Sequence, residues 1–167
     1  MSKYKITLPP TGTTGAAGVT GATGPTGPAA IGIAEFGYIF NVYPQTVPIE
    51  NNIAFDSNRI FTSGIKHIPG SDEIIVNTAG YYEVTFSVSK LEPSQFAIFV
   101  NDVVVPETVY GSVSGAERYE GQAILALAAG DILNLRNHTS PSTVTLQTLE
   151  GGSRTNVNAS IIIKKLN

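Results

Sequence analysis

From Ile31 to the C-terminus, apolar and polar positions alternate in short runs divided by turn residues. Phe36-Gly37-Tyr38-Ile39-Phe40-Asn41-Val42, Glu73–Val76, Tyr81–Val88, Phe96–Val100, Ile132–Leu135, Thr143–Leu146 and Ala159–Ile163 are rich in β-branched and aromatic residues. Such runs, bounded by Gly, Pro, Asn and Ser, read as strands. Gln122–Ala129 has helical propensity, but Gly121 and Gly130-Asp131 bracket it at strand length, so it too reads as a strand. Asn101-Asp102 between two apolar runs predicts a tight hairpin turn. About eight strands with no crossover helices predict an all-β antiparallel sandwich or barrel, best fitted by a jelly roll. A head spanning 31–167 is long enough to bury a sizeable core by itself.

The pattern upstream is different. Glycine occupies Gly12, Gly15, Gly18, Gly21, Gly24 and Gly27, giving six Gly-X-Y triplets in register. Three left-handed chains wound on one axis require this period, because every third residue faces the axis, where only a hydrogen fits. The alternative is a flexible Gly/Thr/Ala linker, stiffened only by Pro25 and Pro28. Either way 11–30 is a spacer, reaching roughly 50–55 Å when extended. In residues 1–10, Tyr4, Ile6 and Leu8 alternate with Lys3, Lys5 and Thr7, then Pro9-Pro10 end any pairing. A strand with one apolar face and no local partner predicts a connector that adds to another subunit or a host structure. The alternative is a frayed terminus.

Composition narrows the function classes. Charged residues are 14% of the chain, below the roughly 25% of an average soluble domain. Strand faces this poor in charge predict cover by neighbouring copies. A formal charge of −3 with 10 Lys and Arg supplies no field for phosphate backbones, which argues against nucleic-acid partners. There is no cysteine, which removes disulfides, thiolate metal sites and thiol catalysis. The longest apolar run, Ala123–Ala129, is far short of a membrane span, and the first residues lack a secretory leader pattern. The expectation is a soluble protein without a membrane partner, exported, if at all, by a route other than the usual leader.

No constellation for catalysis stands out. His67 and His138 are far apart in sequence and read as loop residues with ordinary pKa values. HExxH, GxSxG, Walker and dinucleotide fingerprints are missing. Asp56 and Asp72-Glu73 sit beside turns and offer oxygen ligands for Ca²⁺, but the alternating ligand loop with its closing Glu is missing. The expectation is therefore no enzyme activity, no metal and no cofactor. Asn137-His138-Thr139 and Asn158-Ala159-Ser160 match the N-glycosylation pattern, which carries little weight without a leader.

The triplets feeding a β head, Asn77–Thr85, the hairpin Ile98–Pro106, the run Leu127–Asn137 and the ending Asn158–Lys165 together resemble the collagen-like exosporium glycoproteins of Bacillus spores, the BclA family. The resemblance covers most of the chain. It implies a trimeric jelly-roll head of the complement-globular-head and tumour-necrosis-factor type, with Ile161, Ile162 and Ile163 near the trimer axis. It also implies O-glycans on the Y-position threonines Thr14, Thr20, Thr23 and Thr26, a spore-surface filament, and assembly by the mother cell around the spore. Two features depart from the family: the collagen region is short, and the acidic and apolar leader ahead of the Thr-Leu-Pro run is missing, leaving Ile6-Thr7-Leu8-Pro9-Pro10. The expected partners are two further copies in a homotrimer and, through the N-terminal peptide, more copies or another appendage or exosporium protein. The competing class is a lectin-like or receptor-binding tip of a surface or phage fibre, which requires a concave polar and aromatic patch on the exposed end.

Overall fold

The computed structural model describes residues 12–13, 15–18, 32–33 and 35–166, and the chain divides into two compact units, Met1–Ala30 and Ile31–Asn167. In the second unit the strands are β1 (Phe36–Asn41), β2 (Thr46–Val47), β3 (Ser57–Phe61), β4 (Ile65–His67), β5 (Ile74–Val76), β6 (Gly80–Lys90) and β7 (Ser94–Val100). They continue as β8 (Val103–Val104), β9 (Tyr110–Ser112), β10 (Glu117–Leu127), β11 (Ile132–Asn137), β12 (Val144–Thr145) and β13 (Ala159–Lys165). Pro106–Thr108 forms a 3-10 turn. Every strand pairing is antiparallel. One sheet has the order β10-β6-β13-β1-β3; the other runs β4-β5-β11-β7-β8, with β9 also on β7, and β12 pairs β2. The head is an antiparallel jelly-roll sandwich.

Period-two patterning drives this arrangement. Along β6, Tyr82, Val84, Phe86 and Val88 turn inward and are buried, while Glu83, Thr85 and Ser87 turn outward. β1 contributes Ile39, β13 contributes Ala159, Ile161 and Ile163, and the opposing sheet adds Ile74, Val76, Phe96, Ile98, Leu133 and Leu135. Each large side chain buried in this way contributes about 1.5–3 kcal/mol relative to exposure. The hairpin between β7 and β8 turns on Asn101 and Asp102, with φ of 52° and 64° and Val100 opposite Val103, the mirror-image turn that matches strand twist. Asn101 Nδ2 donates to Asp131 Oδ1 at 2.8 Å and locks the hairpin to the next turn.

Strand boundaries depart from the sequence expectation, most of all at β10. β10 starts at Glu117 rather than Gln122, because register with β6 over Lys90–Gly80 carries its polar first half. It stops at Leu127; Ala128 and Ala129 enter a turn in which Asp131 Oδ2 accepts the Ala128 N–H at 2.7 Å and Gly130 takes φ of 95°. The strands β2, β3, β4 and β9 are additional. Gly121, in the middle of β10, is where the Phe86 ring crosses the strand: a Cβ there would lie 2.4 Å from two ring atoms.

Candidate assembly face

The outer face of the five-stranded sheet carries exposed apolar side chains. Register places Ile60, Tyr38, Ile162, Thr85 and Gln122 side by side across β3, β1, β13, β6 and β10. A neighbouring row runs Phe36, Lys164, Glu83, Ile124. Tyr38 stacks on Phe40 with ring centroids 5.1 Å apart. Ile60 is 59% exposed, with Ile33, Phe36 and Ile162 exposed beside it, and Ile124 is 66% exposed on the opposite edge strand. Ile33, Phe36, Gly37, Tyr38, Ile60, Ile162 and Lys164 line a hollow of about 370 Å³. Lys164 Nζ lies 3.3 Å from Glu83 Oε1 on this face. An exposed apolar cluster of this kind is a candidate interface.

Of the three isoleucines expected at a trimer axis, Ile161 and Ile163 are fully buried in the sandwich core. Only Ile162 faces outward. The cause is the period of a strand, which cannot present three consecutive side chains to one neighbour. Tyr38, Ile60 and Ile124 were not singled out from sequence.

His67 departs from expectation: it lies on β4, only 5% exposed, against Phe55. Its Nε2 is 3.1 Å from the Ser71 carbonyl, and its Nδ1 is 3.4 Å from Asn58 Nδ2. Burial pushes its pKa below the usual imidazole range, with the Ser71 carbonyl acting in the opposite sense. Neutral imidazole is thus the folded form, while the unfolded chain takes up a proton below about pH 6.5. Stability is complete above that pH and falls as pH drops toward the folded pKa. Equilibrium unfolding between pH 7 and pH 5 should show this loss, with a shallower slope in His67→Gln; equal slopes would contradict it. The carboxylates act lower: hydrogen bonds from His138 and the Thr139 N–H hold Glu50 below the usual range, and those from Thr62 and the Gly64 N–H do so for Glu35.

The other candidates have structural employment. Asp56 Oδ2 accepts the Val42 and Tyr43 N–H groups at 2.9 and 2.7 Å, and Asp72 Oδ2 accepts from Asn52 Nδ2 at 2.8 Å. Among the described residues no group of three or more His, Cys, Asp or Glu is placed to hold a metal. His138, just past β11, has Nδ1 2.9 Å from Glu50 Oε2. The sequon asparagines Asn137 and Asn158 are 0% and 1% exposed, with their amides hydrogen-bonded inside the head. Lys90, missed in the sequence, is fully buried; its Nζ donates to the Ser114 carbonyl and lies 3.3 Å from Glu117 Oε1, tying down the loop before β10. Its neighbour Tyr119 has its phenol pushed up to about 12 by burial.

Tyr4, Ile6, Leu8, Pro9 and Pro10, with Thr14, Thr20, Thr23, Thr26, Gly21, Gly24 and Gly27, lie outside the described residues. Gly12, Gly15 and Gly18 are described: none has a left-handed φ, and a Cβ at each would meet nothing within 4 Å. Nothing among the described residues requires glycine at these three positions.

The two antiparallel sheets and their strand order place the chain among jelly-roll β sandwiches. It belongs to the BclA C-terminal domain family, whose model matches residues 37–167. The fold is also that of the globular domain of zebrafish complement 1qA protein, at 10% identity and TM-score 0.56 over 78% of this chain and 94% of that one. Eiger TNF from S. frugiperda is similar at 15% identity and TM-score 0.56, over 79% of this chain and 92% of that one. Murine APRIL at pH 8.0 is similar at 10% identity and TM-score 0.53, over 78% and 98%. No curated protein matches the chain.

Proposed function

We propose that this chain is a non-catalytic structural subunit of a spore-surface filament or appendage: a homotrimer whose heads meet through the outer face of the five-stranded sheet. A short stalk and N-terminal peptide join each trimer to the next body. The observation that carries the reading is the glycine period. Gly12, Gly15 and Gly18 have no left-handed φ and no contact among the described residues that calls for glycine, and a three-chain axis accounts for the period. The exposed Ile60, Ile162 and Ile124 on the head supply apolar area for the same association. Membership of the family supports a place on the spore surface, on the exosporium or an endospore appendage.

The lectin-like alternative needs an aromatic in a concave site at the exposed end. The groove there, about 310 Å³, is lined by Pro93, Gln95, Ser112, Val113, Thr139 and Pro141 among others, with no aromatic in that lining among the described residues. This favours the structural reading. Sedimentation at micromolar concentration should give three times the chain mass of 17.6 kDa. A stable monomer would overturn the reading.

A further inference from the structure

Tyr43 receives more polar support than a loop residue ordinarily does. Its N–H donates to Asp56 Oδ2 at 2.7 Å, and Ser57 Oγ donates to the other oxygen of that carboxylate at 2.5 Å. Its carbonyl accepts from Asn41 Nδ2 at 2.7 Å and from Asn158 Nδ2 at 3.1 Å. The two asparagines, 3% and 1% exposed, bond to each other, Asn41 Nδ2 to Asn158 Oδ1 at 2.8 Å. Burying two amide side chains is costly unless their polar atoms are satisfied, and here they are satisfied by fixing one residue. The residue as a whole is nevertheless 69% exposed. A tyrosine whose backbone is already ordered, with its ring in water, has little left to lose on binding, which is the property of an interface anchor.

We propose that the Tyr43 ring is the receiving contact for the Pro9-Pro10 segment of a neighbouring copy. The inference rests on the head-to-tail reading above. Tyr43 lies just past the C-terminal end of β1, whereas the chain enters that strand at Phe36, about 20 Å away. A head-to-tail joint brings the neighbour's N-terminal peptide to the Tyr43 end. The peptide's stiffest part is Pro9-Pro10. Polyproline segments dock on exposed aromatic rings at low ordering cost, and their carbonyls accept from a phenol hydroxyl. One ring is a weak contact, and a trimer presents three.

The test uses the full chain with Tyr43→Ala, Tyr43→Phe and the double variant Pro9→Ala/Pro10→Ala, each checked for fold by circular dichroism and for trimer mass, and imaged by negative stain. The expected result is folded trimers with at least a tenfold loss of joints per trimer in Tyr43→Ala and in the double proline variant, and near-normal fibres in Tyr43→Phe. Fibres of wild-type length in Tyr43→Ala would overturn the inference and leave the head-to-tail reading intact. Isolated wild-type trimers would instead overturn head-to-tail joining. In that case a labelled peptide of residues 1–11, titrated onto the full chain, decides the contact: equal binding to wild type and Tyr43→Ala, or binding to neither, sinks it.

Discussion

Replacing Ile162 by aspartate is expected to turn the trimer into a folded monomer. Ile162 lies at the centre of the row formed with Ile60, Tyr38, Thr85 and Gln122, pointing away from the core. Within one head, an aspartate there meets water, and the cost to the fold stays near the roughly 1 kcal/mol span of strand preferences. In the trimer each copy loses about 1.5–3 kcal/mol of apolar burial. It also buries a carboxylate, at several kcal/mol per ion. The nearby Lys164 is already committed to Glu83, so the new charge has no ready partner. Tripled, these terms exceed what a modest interface supplies. Sedimentation should show the monomer mass with an unchanged circular dichroism spectrum; a trimer that survives Ile162→Asp places the interface elsewhere. Ile161→Asp is the contrasting variant: Ile161 is fully buried in the sandwich, so the same change should unfold the head.

Deleting residues 2–8 is expected to leave trimers intact and abolish fibres. Tyr4, Ile6 and Leu8 offer about 1.5–3 kcal/mol each on burial. Ordering the strand costs about 1–2 kcal/mol per residue in backbone entropy, so a single peptide holds marginally. Three peptides on one trimer act together, and avidity then exceeds the single affinity by orders of magnitude. The deletion removes all three at once, leaving the glycine triplets and head untouched. Fibres of normal length from the truncated chain would contradict the connector role.

The parts of the fold legible in the sequence were those in which burial alternates. Burial alternates through Val88 in β6 and through Ile163 in β13, and the runs Tyr81–Val88 and Ala159–Ile163 mark these strands; Gly80, Ser89, Lys90, Lys164 and Lys165 extend them beyond the apolar rhythm. β3, Ser57-Asn58-Arg59-Ile60-Phe61, has no fully buried residue and therefore no inward apolar rhythm to read. β2 is two residues long and is defined by its pairing with β12, the strand that the Thr143–Leu146 run marks, rather than by its own sequence. In β4 the inward position is occupied by His67, which next to Pro69-Gly70 looked like a loop; only the packing of Phe55 and the Ser71 carbonyl reveals it as core. The assembly face was partly legible. The isoleucine triplet marked β13, but which isoleucine points outward follows from register with β1 and β6. Tyr38, Ile60 and Ile124 come together from distant segments, a juxtaposition that only the sheet order brings about. Tyr43 left no mark in the sequence either, because its supports Asp56 and Asn158 lie 13 and 115 residues away.

Negative-stain microscopy of the purified full-length chain is the most direct measurement. Trimeric heads spaced regularly along a thread, with thin gaps no longer than the roughly 50–55 Å reach of the extended spacer, are the expected image. A field of isolated monomeric particles at micromolar concentration would contradict both the trimer and its assembly into a filament.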